Sequence, residues 1–243
     1  MSNINDENMG GAGMYKIFLK RFIDILVSGM GLVFISPLLL ILAGLVAIRL
    51  GRPVVFSQIR PGKQGKLFKL YKFRTMTDAR DDSGQLLPDD MRMTDFGRKL
   101  RNSSLDELPE LFNILKGDMS LVGPRPFLVS DIVFYTDREM HRKSVLPGLT
   151  GLAQISGRNN LTWEEKFQYD FQYVDNISFG QDMRILYRTF FKVAEQSDIA
   201  TDGMETAERY GVYLLRKGKI TKEEYKKGIQ KANQIVTDFD NIR

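Results

Sequence analysis

Hydrophobic and polar positions along the chain mark out one long apolar segment followed by a series of short elements. Residues Ile25 to Ile48 carry no charge over about 24 positions, enough to cross a bilayer as a helix. Beyond residue 50 no segment is both long and apolar enough to do so. Val54 to Ser57 and Leu67 to Phe73 read as short strands, the second from its Leu-Phe-Lys-Leu-Tyr-Lys-Phe alternation, around a turn at Pro61-Gly62 to Gly65. Between Asp78 and Asp95 the chain is rich in Asp, Arg, Gly and Pro and reads as a mobile loop. Leu108, Leu111, Phe112 and Leu115 recur at i, i+3, i+4, i+7, which predicts a helix from about Asp106 to Lys116, stopped by Gly117. Helices are also expected over 130–144, 162–175 and 181–196. From about Thr201 the tail is charged, and Thr221 to Val236 reads as an amphipathic helix opened by the capping-box pattern Thr221-Lys-Glu-Glu224. No internal repeat or low-complexity tract is present.

The flanks of the apolar segment are basic on both sides: Lys16, Lys20 and Arg21 before it, Arg49 and Arg52 after it. Positive charge marks the cytoplasmic side of a membrane segment. Ser36-Pro37 lies near its middle, where proline removes a backbone donor and disfavours helix at the preceding residue. A helix that bends there and returns keeps both ends cytoplasmic, with the Ser36 hydroxyl serving the freed backbone. A straight or kinked spanning helix fits the same residues, because proline is tolerated in such helices. The segment starts too deep and runs too long for an ordinary signal peptide, so it is expected to remain in the mature protein.

Composition narrows the chemistry. The chain has 243 residues, with 43% hydrophobic and 27% charged, neither a disordered tail nor a polytopic membrane protein. Its net charge of +5 suits an anionic partner: nucleic acid, an acidic membrane surface or a phosphorylated substrate. With no cysteine and one histidine, His141, thiol catalysis, disulfides and multi-histidine or cysteine metal sites are excluded. A metal would have to be oxygen-bound, as Mg²⁺ is.

Asp106-Glu107 is the leading candidate for chemistry. Pro109 belongs in the first turn of its helix, which puts both carboxylates at the N-terminus, where free N–H groups and the dipole favour negative charge. An ionised aspartate there can act as a nucleophile toward phosphorus, and its neighbour, about 100° around the helix, can hold a metal. Acidic residues also decorate first turns with no catalytic role, and Ser104 to Glu107 fits a capping box. Gly123-Pro124-Arg125-Pro126 fixes the backbone either side of Arg125, which suits bidentate phosphate recognition or a plain structural turn. Pro147-Gly148 through Asn159 is a second glycine-punctuated stretch, able to approach phosphates by backbone but without Walker A or GxGxxG spacing. Tyr71-Lys72-Phe73-Arg74 interleaves basic and aromatic residues, by default a strand with one wet face. Asp170 and Asp182 read as helix-surface residues or metal or nucleotide contacts, and His141 as a surface residue.

Taken in order, these segments resemble the small monotopic phosphoglycosyl transferases, or bacterial sugar transferases. The matching pieces are Lys20-Arg21-Phe-Ile-Asp24, the apolar segment with Ser36-Pro37, Gln58-Ile-Arg-Pro-Gly62, Tyr71-Lys-Phe-Arg-Thr-Met76 and Ser104-Leu-Asp-Glu-Leu-Pro109. They continue through Asp118-Met-Ser-Leu-Val-Gly-Pro-Arg-Pro126, Pro147-Gly-Leu-Thr-Gly-Leu-Ala-Gln154, Gly157-Arg-Asn159 and the Asp170 to Asp182 region. The resemblance covers roughly residues 15–197. Each motif is short; the ordered set is specific. At Leu152 many relatives carry tryptophan instead, an apolar exchange.

The resemblance implies a helix-rich α/β monotopic membrane protein. It divides the chain into a tail (1–14), a re-entrant membrane helix (15–50) broken at Ser36-Pro37, a cytosolic catalytic domain with amphipathic interfacial helices (51–200) and a charged extension (201–243). No large membrane domain is expected ahead of it. It implies transfer of a sugar-1-phosphate from a UDP-sugar to polyprenyl (undecaprenyl) phosphate, with release of UMP. This would be the first membrane step of a glycoconjugate or polysaccharide pathway, at the cytoplasmic face of the bacterial inner membrane. Asp106 would attack the β-phosphate and hold the phospho-sugar, and Glu107 would help bind Mg²⁺. Lys72, Arg101, Arg125 and Arg158 would bind phosphate, and Asp182 would support the metal or nucleotide. A second copy of the chain, or glycosyltransferases acting later, are candidate protein partners; nucleic acid is not. A membrane-anchored scaffold without turnover is the main alternative, and the intact Asp106-Glu107 pair argues against it.

Overall fold

The computed structural model describes residues 15–157, 161–194 and 208–242. A single π turn, Tyr15–Leu19, leads into α1 (Lys20–Leu50). An antiparallel hairpin follows, β1 (Val55–Pro61) and β2 (Leu67–Phe73), in register from Val55↔Phe73 to Pro61↔Leu67. Then come α2 (Asp89–Arg92), α3 (Asp95–Asn102), a 3₁₀ turn at Leu105–Glu107, α4 (Glu110–Lys116) and β3 (Ser120–Val122). Next are α5 (Val129–Ile132), α6 (Asp137–Met140), a 3₁₀ turn at His141–Ser144 and β4 (Gly148–Thr150), which lies parallel to β3. The chain ends in α7 (Leu152–Ser156), α8 (Trp163–Asp175), α9 (Phe179–Ala194), α10 (Tyr210–Arg216) and α11 (Lys222–Asn241). The described residues thus form a helix-rich α/β body with two small sheets.

The hairpin expected at Ser36-Pro37 does not take the form of two helices. The 31 residues of α1 form one helix with Pro37 inside it. The local chemistry explains this. Pro37 has no N–H for the carbonyl four residues back, Val33, and the Ser36 hydroxyl donates to that same oxygen at 2.8 Å. The serine supplies the bond the proline lacks.

One face of α1 packs along the body over its whole length. Ile23, Leu32 and Ile35 meet the core built on Leu111, Ile114, Leu121 and Tyr173. Leu42, Val46 and Leu50 pack with Phe73 and Leu100. Polar bonds fix its first turns. Arg21 donates to the last-turn carbonyls of α4, Ile114 O at 2.6 Å and Leu115 O at 2.8 Å, where the helix runs out of backbone donors. The Asp24 carboxylate accepts from Leu121 N–H at 2.9 Å. The opposite face leaves Phe22, Val33, Phe34, Leu40, Ile41 and Ile48 exposed.

Where strands were expected they are found, the first running on to Pro61. The 78–95 stretch is irregular apart from α2 and two isolated bridges, Met76↔Met93 and Arg80↔Leu86. The helix expected over 130–144 is instead α5, α6 and a 3₁₀ turn, because Thr136 and Glu139 form a capping box that starts a new helix at Asp137. The capping box expected at Thr221–Glu224 forms and opens α11. The tail is not a loose extension. Tyr210, Tyr213 and Leu214 pack on Trp163 and Phe167, and Ala232 on Ile59 and Val129.

Candidate active site

The site is built from four segments that converge beside α4. Asp106 and Glu107 lie in the 3₁₀ turn one step ahead of α4, with Pro109 at its N-cap. Ser104 precedes them with φ +56°, a left-handed conformation that L residues seldom adopt, and its side chain makes no cap bond. The Ser104–Glu107 capping box therefore does not form. The Glu107 carboxylate is free to turn inward.

Lys72, on β2, donates to Glu107 Oε1 at 2.6 Å and to Glu110 Oε1 at 3.0 Å. Arg125 Nη2 reaches the same Glu107 oxygen at 3.0 Å. Burial works against the ionised Glu107, but Lys72 and Arg125 outweigh it and hold its carboxyl well below the usual range. Glu110 is pushed upward by burial despite Lys72. Asp106 is 5% exposed, and its Oδ1 accepts no hydrogen bond among the described residues. Burial first, then the adjacent Glu107 charge, push its carboxyl up to about 7, against the pull of Lys72 and Arg101. Arg101, on α3, donates to Thr75 Oγ1 at 3.2 Å.

Supporting side chains set these groups. Asn113, fully buried on α4, donates to Lys69 O at 2.7 Å and accepts from Tyr71 N–H at 3.0 Å. It takes the place of a neighbouring strand on the free edge of β2 and so fixes Lys72 against α4. The loop carrying Arg125 is held by two arginines: the buried Arg142, whose Nη2 donates to Arg125 O at 2.6 Å, and the half-buried Arg60, whose Nη1 donates to Pro126 O at 2.9 Å. Arg142 in turn pairs with Asp170 at 2.8 Å and lies over the Phe127 ring.

Of the residues singled out in the sequence, Asp106, Glu107, Lys72, Arg101 and Arg125 come together. Asp182 does not join them. It is buried between Tyr15 Oη and Lys20 Nζ, both at 2.6 Å, and Tyr173 Oη at 2.8 Å. Three donors occupy its carboxylate and tie the start of α1 to α8 and α9. Asp170 is buried, not a solvated helix-surface residue. Arg158 lies outside the described residues. His141 is a surface residue, 2.7 Å from Asp175. The glycines of the second glycine-rich stretch serve packing: a Cβ on Gly148 would fall 2.0 Å from Gly123 N. Glu110 was missed, although it stands three residues after Glu107, on the same helical face.

A buried carboxylate beside clustered cationic side chains, on a body clasped to one long apolar helix, is an arrangement suited to anionic substrates at a membrane surface. The chain belongs to the bacterial sugar transferase family, which it matches over residues 15–196. It is 49% identical over 194 residues to the uncharacterized sugar transferase EpsL of Bacillus subtilis (strain 168), covering 80% of this chain and 96% of that protein. It is 43% identical over 190 residues to the UDP-glucose:undecaprenyl-phosphate glucose-1-phosphate transferase of Klebsiella pneumoniae, covering 74% of this chain and 41% of that one. It is 37% identical over 187 residues to the exopolysaccharide production protein ExoY of Rhizobium meliloti (strain 1021), covering 70% and 83%. The chain thus spans nearly all of EpsL but about two fifths of the Klebsiella enzyme. It is a phosphoglycosyl transferase by family.

Proposed function

We propose that this enzyme transfers a sugar-1-phosphate from a UDP-sugar to undecaprenyl phosphate at the cytoplasmic face of the bacterial inner membrane, in exopolysaccharide or capsule synthesis. The observation that carries the reading is the Asp106 carboxylate, buried, with an unpartnered oxygen, beside Glu107 locked between Lys72 and Arg125. In the first step an Asp106 oxygen attacks the β-phosphorus. The bond from that phosphorus to the bridging oxygen breaks, and UMP leaves with the electron pair. In the second step an oxygen of the lipid phosphate attacks the same phosphorus, and the Asp106 carboxylate leaves. Lys72, Arg101 and Arg125 offset the charge that collects on the phosphoryl oxygens. A pocket that keeps Asp106 partly desolvated strengthens it as a nucleophile once ionised.

Mg²⁺ fits the donor set in a particular way. Among the described residues no three carboxylates or histidines are arranged as a metal cage. Mg²⁺ is commonly held by one or two carboxylates together with substrate phosphates, and the carboxylate of Glu107 supplies one of these, leaving the open oxygen of Asp106 for attack. When bound, the ion would neutralise diphosphate charge. Glu107 would orient it, while Lys72 and Arg125 keep Glu107 ionised and in place.

The test is Mg²⁺-dependent UMP release by the detergent-purified chain from a panel of UDP-sugars with undecaprenyl phosphate, beside Asp106→Asn. We expect release from one donor and its loss in the variant, by a factor of about 10³ or more for a nucleophile. Release undiminished in Asp106→Asn would remove Asp106 from the mechanism. No release from any donor would favour the scaffold alternative.

A further inference from the structure

A second cationic site lies at the Arg125 loop. Pro61 and Gly62 of the β1–β2 turn face Pro124-Arg125-Pro126 across a narrow crevice, with Arg142, Lys143, Val145 and Pro147 beneath. The space admits the centre of about one water-sized group, 10 Å³, and opens to solvent. Two of the basic residues here have carboxylate partners: Arg125 has Glu107, and Arg142 has Asp170. A third does not. Lys143 is 6% exposed, and its Nζ makes no hydrogen bond to any described residue.

A buried, unpaired ammonium is costly to the folded state unless something anionic meets it. Burial, then Arg142, bring the Lys143 ammonium down to about 8. We infer that the crevice is an anion subsite in which Lys143 binds one oxygen of a phosphoryl group whose remainder lies in the open mouth. The choice of a phosphoryl group over another anion rests on the reading above, in which both substrates carry phosphate. The source is the nucleotide phosphates of the donor, the lipid phosphate, or free phosphate.

Isothermal titration calorimetry of the full chain in nanodiscs separates these sources, using inorganic phosphate, UMP and farnesyl phosphate as probes against wild type, Lys143→Met and Asp106→Asn. A charge-assisted hydrogen bond predicts that Lys143→Met weakens at least one probe by about tenfold or more. Weakening of UMP places the donor in the crevice, of farnesyl phosphate the acceptor, of inorganic phosphate alone a free ion. Asp106→Asn should retain the affected probe, so the subsite can stand even where UMP release fails. Without ligand, the urea midpoint of Lys143→Met should equal or exceed that of wild type, since an unpaired buried charge is removed. Unchanged binding of all three probes would overturn the inference. So would weakened binding with a lower midpoint, because the lysine would then be holding the fold.

Discussion

Lys143 makes a sharp case for how one side chain reports its surroundings through pH. Its ammonium sits at about 8, below the roughly 10.4 of an unfolded lysine. The charges around it are Arg142 on its own turn and Arg125 across the crevice. Between those two pH values the unfolded chain binds more protons than the folded one, so stability rises with pH through the window. Below pH 8 the penalty is fully present. We therefore expect the stability of wild type relative to Lys143→Met to improve as pH rises from about 8 to about 10.4, in urea titrations that cancel the other titrating groups. A difference that stays flat over that range would mean the ammonium is not desolvated. The same level of detail marks what the sequence could tell. Asp106, Glu107, Lys72 and Arg125 were readable because each stands in a dense motif. Glu110 was not, because an acidic residue in the first turn of a helix is ordinary there and only the fold brings Lys72 to it. The Asp170–Arg142 pair was not readable, because helical periodicity gives the direction of a side chain and not what lies opposite it.

Packing between elements gives α10 and α11 a purpose that charge and capping signals did not reveal. These helices lie past the family match, which ends at residue 196. Phe134 inserts between them. A Cβ on Gly211 would come within 2.5 Å of its ring, and one on Gly228 within 2.4 Å, from opposite ring edges. Tyr225 stacks on the same ring at 5.9 Å. Asp131 joins the starts of two helices, accepting from Leu128 N–H of the α5 cap and Tyr210 N–H of α10. From Tyr210 the contact runs through Trp163 at 4.9 Å to Phe127 at 4.7 Å, two residues from Arg125. Gly228→Ala tests the socket because two effects oppose. Helix propensity alone would stabilise by about 0.5–1 kcal/mol. A ring blocked on both sides cannot yield, and overpacking should destabilise by about 1–3 kcal/mol. We expect a lower urea midpoint for Gly228→Ala, and an unchanged or higher one when it is placed on a Phe134→Ala background. A higher midpoint in both backgrounds would show that no socket exists. Short helices were the least legible elements for a related reason. The pattern over 130–144 is continuous in hydropathy, but Phe134 and Tyr135 are drawn into different contacts, and Thr136 restarts the helix between them and Asp137.

The relation of the body to a membrane turns on α1. At about 1.5 Å per residue its 31 residues reach about 46 Å, more than the roughly 30 Å of a hydrocarbon core. Length alone allows a span, and the apolar pattern announced that much. It could not announce what the helix packs on. The first turns are tied down by Lys20 to Asp182, Arg21 to the end of α4 and Asp24 to Leu121. The last turns are tied down by Leu42, Val46 and Leu50 against Phe73 and Leu100. A body bearing this many charges and clasping both ends would have to enter the lipid for the helix to cross it. We therefore expect the exposed face, with Phe34 79% exposed, to meet the apolar phase from one side. Both flanks should then stay cytoplasmic, in keeping with the basic residues at each end. The chain has no cysteine, so single substitutions Lys16→Cys and Arg52→Cys carry unique labels. In intact cells both should resist a membrane-impermeant maleimide and react once the membrane is opened. Labelling of one position and not the other from outside would establish a span and separate the two ends of α1, which the packing of its C-terminal half could not then survive. Phe34→Glu with Ile41→Glu completes the argument. These side chains touch solvent and not the core, so the pair should move the protein from the membrane fraction to the soluble one while leaving its unfolding midpoint unchanged.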